Sequence, residues 1–171
     1  MNIKEALMKE HSKINTLAIV EYIGNDKKRL KELLAVFAIG NVQLTQRAAW
    51  PLGYVAELQP QLVQPELEFI ISLLDKPLHV AVKRNVLRIL QDYDIPEPLM
   101  GIVADKCFGY LLDKKETIAV QAFAMRTLYN ICVKEPDLKN ELILIIEDMI
   151  PYGSSGIKHR CKQTLAALYK L

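Results

Sequence analysis

Apolar residues in this chain recur at spacings of three and four rather than two, the period of helices packed along one stripe. The residues Leu30, Leu33, Leu34 and Phe37 give such a stripe within 27–39, and similar ones mark 66–74, 97–112 and 137–150. A second set of helices is predicted at 42–58, 80–93, 117–133 and 157–169. In 80–90 the β-branched residues also fit the helix period. There Val82, Val86 and Leu90 share a face with Leu87 beside them, while Lys83, Arg84 and Arg88 fall elsewhere. No segment reads as a strand, so an all-α chain is expected.

Residues 1–24 read as two short helices, with Ser12 as N-cap of the second, an apolar stripe at Ile14, Leu17, Ala18 and Val20 or Tyr22, and Gly24-Asn25 as its stop. Thr117 is the expected N-cap of the helix over 117–133. Pro60, Pro65, Pro77, Pro96, Pro98, Pro136 and the stretch 151–156 fall between predicted helices. Pro51 alone lies inside one, where the lost N–H should kink the helix near Arg47 or end it early.

The second helices carry a repeat. An apolar residue or Thr, two polar or small residues and a late Leu or Gly recur from Thr45 (TQRAAWPLG), Val82, Val120 and Ile157, at spacings of 37, 38 and 37 residues. Units of this length, each too short to bury its own apolar face, mark a stacked helical repeat. The pattern resembles HEAT repeats of the HEAT/armadillo class, from about residue 30 to 171, and the whole chain is similar to small bacterial HEAT-repeat proteins with no assigned chemistry. The second polar slot holds Gln46 and Gln121 in two copies and the third holds Ala122 in one, so the copies do not carry an identical charged ladder. The resemblance implies a right-handed α-solenoid of about four helix pairs plus an N-terminal helical cap, in one domain over 1–171. Its parts are a cap at 1–24 and repeats at 25–62, 63–95, 96–135 and 136–171.

Composition narrows the class of molecule. With 51% hydrophobic and 25% charged residues, the 171-residue chain can bury a core, which argues against disorder. No apolar run approaches the roughly 20 residues of a bilayer span, and residues 1–11 lack the build of a signal peptide. Three cysteines, Cys107, Cys132 and Cys161, sit in helical patterns without CxxC spacing. They fit buried thiols of a reducing cytoplasm better than disulfides or zinc ligands.

Chemistry is sparsely signalled. His11, His79 and His159 fall in separate units with no metal-ligand spacing, and no phosphate-binding glycine motif or nucleophile elbow occurs, so no metal, cofactor or small-molecule substrate is expected. The segment 153–160 (GSSGIKHR) carries only the start of the serine-rich loop of the fumarase superfamily and reads as an ordinary turn. Charge is more informative than motif: over the last three repeats Lys and Arg gather on the second helices and Asp and Glu on the first, behind a net charge of +2.

In HEAT-type folds the second helices line the concave surface, so the resemblance implies a basic trough suited to an anionic partner. Arg47, Lys83, Arg84, Arg88, Arg126, Lys158 and Arg160 are the candidate contacts. Trp50 joins them as a group able to stack on a base or peptide side chain, although core packing or support of the Pro51 bend is the favoured role of a lone Trp at this place. The expectation is a non-catalytic scaffold, monomeric or weakly associating, for a protein or peptide with an acidic surface. The alternative is nucleic-acid binding in the manner of the HEAT-like alkylpurine DNA glycosylases. Those need a carboxylate in the trough, for which Asp92 is the nearest residue here.

Overall fold

A computed structural model describes all 171 residues. The chain is all helical, in the order α1 (Ile3–Lys9), α2 (Lys13–Ile23), α3 (Lys27–Ala38), α4 (Val42–Leu58), α5 (Pro60–Val63), α6 (Leu67–Ser72), α7 (Val80–Leu90), α8 (Glu97–Leu112), α9 (Ile118–Lys134), α10 (Lys139–Met149) and α11 (Ser155–Leu168), with 3₁₀ turns at Gln64–Glu66, Leu73–Asp75 and Pro136–Leu138. No helix is long and apolar enough to cross a membrane. Two compact units result, Met1–Ile89 and Leu90–Leu171.

In the first unit α4 packs against α1, α2 and α3. The Leu30, Leu33, Leu34 and Phe37 stripe of α3 is at most 1% exposed. Thr45, wholly buried on α4, donates its hydroxyl to the Phe37 carbonyl at 3.2 Å, tying the second helix to the end of the first. Local signals end the helices: Ser12 caps α2 by accepting from the Asn15 N–H, Asp26 caps α3 through the Lys28 and Arg29 N–H groups, and Asn41 caps α4. Gly24 and Gly40, at φ 47° and 78°, supply the left-handed residues that close α2 and α3.

Three sequence expectations need correction. Helix α4 spans Val42–Leu58 as expected, so of the two effects expected of Pro51 the early end does not occur, and Pro51 lies buried within the helix. The missing N–H costs about 3 kcal/mol, and burial of α4 along its length outweighs it. The stripe of α2 is Thr16, Ile19, Val20 and Ile23, while Ile14 is 82% exposed and Leu17 is also exposed. Apolar residues lie all round this helix, so spacing alone does not select the packed face. Several prolines also start elements instead of separating them: Pro60 opens α5, Pro98 lies in the first turn of α8, and Pro136 begins a 3₁₀ turn. The first helical turn has no use for a proline N–H, and its fixed φ suits a helix start.

In the second unit α9 packs on α8 and α11, and α10 on α11 and α8. Val120, Ala124, Met125 and Leu128 of α9 are fully buried together with Val103, Cys107, Leu142 and Ile146. Thr117 caps α9 and Ser154 caps α11. One turn apart on α9, Asn130 donates to the Gln91 carbonyl at 2.7 Å and Lys134 pairs with Asp94, so both residues hold the segment that leads into α8.

Candidate cationic grooves

The first residue of the repeat pattern is buried in every copy: Thr45 at 0%, Val82 at 1%, Val120 at 0% and Ile157 at 3% exposure. With that residue facing the core, the polar positions after it turn away by about 100° per residue. Their fates then differ.

Arg47 is a structural cation. Its Nη1 donates to the carbonyls of Leu7 and Met8, each at 2.9 Å. Asn15 Nδ2 takes the neighbouring carbonyls of Ala6 and Glu10, each at 2.8 Å. Carbonyls at a helix C-terminus have no intrahelical donor, and α1 is closed by these two side chains, one from α2 and one from α4. Gln121, the position after Val120, is buried and donates to the Asp113 carbonyl at 3.2 Å. Lys83 is half-buried and engaged with the protein. Lys158 is exposed, about 200° round the helix from Arg160.

Arg84 and Arg88 do come together with Trp50. They line a shallow groove of about 190 Å³ between α4 and α7, whose other walls include His11, Gln46 and Asn85. Both arginines are exposed and neither is held in an ion pair. The Arg88 guanidinium lies across Gly53: its central carbon and both terminal nitrogens are each 3.7 Å from where a Cβ on that glycine would stand. Equal distance from three atoms of one plane means that the plane faces α4, which leaves the N–H edge free. Trp50 is half-buried and meets the His11 ring edge-on, centroids 5.1 Å apart at 62°. Asn85 is committed to the Ala81 carbonyl at 2.7 Å.

The second unit has a groove of its own between α9 and α11. Arg126, Tyr129, Arg160, Gln163 and Lys170 line it, and the Arg126 guanidinium sits 5.2 Å from the centre of the Tyr129 ring, a cation–π contact that steadies the side chain. No Asp or Glu lines either groove.

Sequence reasoning singled out Arg84, Arg88, Trp50, Arg126 and Arg160 among these residues and missed His11, Gln46, Tyr129 and Gln163 as lining. A signal for two of them exists. Arg126 and Tyr129 are three apart, and Arg160, Gln163 and Lys170 fall at helical spacings along one stripe. His11 comes from the linker between α1 and α2 and leaves no such trace.

The three cysteines and His79 face inward or serve a helix start. Burial pushes the Cys107 thiol up to about 12 and Cys132 to about 11, and it raises Cys161 as well. All three are free thiols inside the protein. His79 accepts the Ala81 N–H at 3.2 Å at the start of α7.

Neither the curated proteins nor the solved structures hold a match to this chain. A family model does match, over residues 3–168, from the first residue of α1 to the last of α11. With helices alternating throughout that span and a buried slot returning every 37 or 38 residues, the chain belongs to the HEAT repeat domain family.

Proposed function

We propose that the protein is a non-catalytic binding scaffold that recognises a protein or peptide partner with an acidic surface through the cationic grooves of its second helices. HEAT repeats are generally protein-interaction scaffolds. The observation that carries the reading is the composition of the two groove linings. Arg84 and Arg88 in one unit, and Arg126, Arg160 and Lys170 in the other, face the grooves without an acidic side chain to neutralise them. Uncompensated cations in a concavity attract anionic partners and raise their association rate.

The same composition speaks against catalysis of the glycosylase type, which needs a carboxylate in the groove. Asp92 is an exposed residue and lines neither one. The buried thiols suit a reducing, cytoplasmic setting.

Capture from lysate with and without nuclease tests the reading. The wild type is to retain a protein partner after nuclease treatment. Charge reversal of Arg84 and Arg88, or of Arg126 and Arg160, is to lose it with helical content unchanged. Retention that depends on intact nucleic acid, with a steep loss between low and moderate salt, would replace this reading by the nucleic-acid one. Undiminished capture by both reversed variants would sink it.

A further inference from the structure

We propose that the groove of the first unit reads a phosphorylated serine or threonine in the acidic partner; this rests on the scaffold reading and specifies its ligand. Arg84 and Arg88 stand one turn apart on α7, about 6 Å along the helix axis, so one anionic group set between them meets both guanidinium edges. Arg88 is already placed, its plane against Gly53 and its donors outward. A fork held in this way loses little freedom on binding.

Charge and donor count then choose between the two common anionic side chains. A carboxylate brings one negative charge and two oxygens, enough to satisfy a single guanidinium. A phosphate monoester brings about −1.5 to −2 at neutral pH and three acceptor oxygens, which matches two arginines with no acidic neighbour. Gln46, exposed on α4, adds an amide to the same lining. Size agrees: about 190 Å³ admits one side chain and falls short of the roughly 300–1,000 Å³ of drug-sized ligand sites. The Trp50–His11 pair completes the lining beside the two arginines.

The test uses one acidic model peptide in three forms, with serine, aspartate or phosphoserine at its centre, titrated into the full chain. Trp50, the only tryptophan, reports by fluorescence, and peptide anisotropy gives the affinity. The phosphoserine form is expected to bind at least about tenfold tighter than the aspartate form, from charge-assisted bonds to two guanidinium groups instead of one. R84A/R88A is to erase that gain, leaving the phosphoserine and aspartate forms equally weak, and Arg88→Lys is to lose most of it. Circular dichroism checks that these exposed substitutions leave the fold intact.

Equal affinity for the aspartate and phosphoserine peptides overturns the inference and leaves the scaffold reading standing. So does a phosphate gain that survives R84A/R88A. Failure of all three peptides to bind overturns the inference, while the scaffold reading falls only if the capture experiment fails as well. A single-stranded oligonucleotide of equal charge serves as the final arm. If it binds more tightly than the phosphopeptide and depends on the same arginines, the ligand is nucleic acid and the inference is wrong.

Discussion

Removing the Arg47 side chain should destabilise the protein without touching its binding. The guanidinium makes two hydrogen bonds at 2.9 Å to the last carbonyls of α1, one of them part-buried and one exposed. Bonds to a charged donor contribute about 1.5–3 kcal/mol when sheltered, and the exposed one contributes less. Loss of a cation from a helix C-terminus adds a few tenths. The sum for Arg47→Ala is about 2–3 kcal/mol. For a chain of this length that lowers Tm by roughly 4–12 °C. Arg47→Lys keeps the charge but loses the fork that spans two carbonyls, so it should recover less than half. Urea melts followed by circular dichroism measure the change, and hydrogen exchange of α1 amides locates it, since α1 loses its C-terminal closure. A loss below about 0.5 kcal/mol, the size of an ordinary surface substitution, would refute the argument. So would a loss of partner capture by a variant that stays fully folded under assay conditions, because Arg47 would then be a contact residue after all.

Two glycines should respond in opposite directions. Gly53→Ala places its Cβ in ordinary contact with the Arg88 guanidinium and should raise stability by about 0.5–1 kcal/mol through helix propensity; a destabilised variant would contradict the face-on placement of Arg88. Gly153→Ala sets a Cβ 2.8 Å from Ile157 Cγ2 and 3.1 Å from the Met149 carbonyl oxygen, and should cost about 1–3 kcal/mol by overpacking, read from the same melts. Asp26 accepts backbone bonds from Arg29 and Lys28, which hold its carboxyl below the usual range. Its contribution is complete above the unfolded carboxyl pKa of about 3.9 and is lost as pH falls through the lower folded value. Asp26→Asn should therefore flatten this part of the acid limb in Tm measured from pH 2.5 to 6, and an unchanged slope would count against the cap. The three buried thiols should stay silent towards a disulfide reagent at pH 8 until the protein unfolds; one fast equivalent in the native state would mean that a cysteine is open to solvent.

Repetition was legible because burial repeats. Thr45, Val82, Val120 and Ile157 all face the interior, so the demand for a small or apolar side chain returns at a constant interval and shows through a loose motif. Helix ends were legible for a similar reason. Ser12 and Thr117, read as caps from sequence, act on N–H groups three residues away; Asp26, Asn41 and Ser154 cap in the same local way without having been singled out as caps. The packed face of α2 was not, since a helix apolar on several sides is oriented by its neighbours.

The grooves follow a register offset from the motif that revealed the fold. Counting six residues on from the buried slot gives Arg88, Arg126 and Gln163, all of which line a groove, and Pro51 in the copy that does not follow suit. Six residues advance a helix by about 600°, or 240° from the buried direction. That direction is far enough from the core to reach the surface and close enough to the flanking second helix to meet it. The polar positions directly after the slot are the conspicuous ones in sequence, yet they divide: Arg47 serves α1 closure and Gln121 a loop carbonyl, while Gln46 and Arg84 line a groove. A partner forty residues distant decides the role of Arg47, and no spacing within its own helix records that partner. The cations available for recognition are therefore those left over once the packing of each unit has taken what it needs.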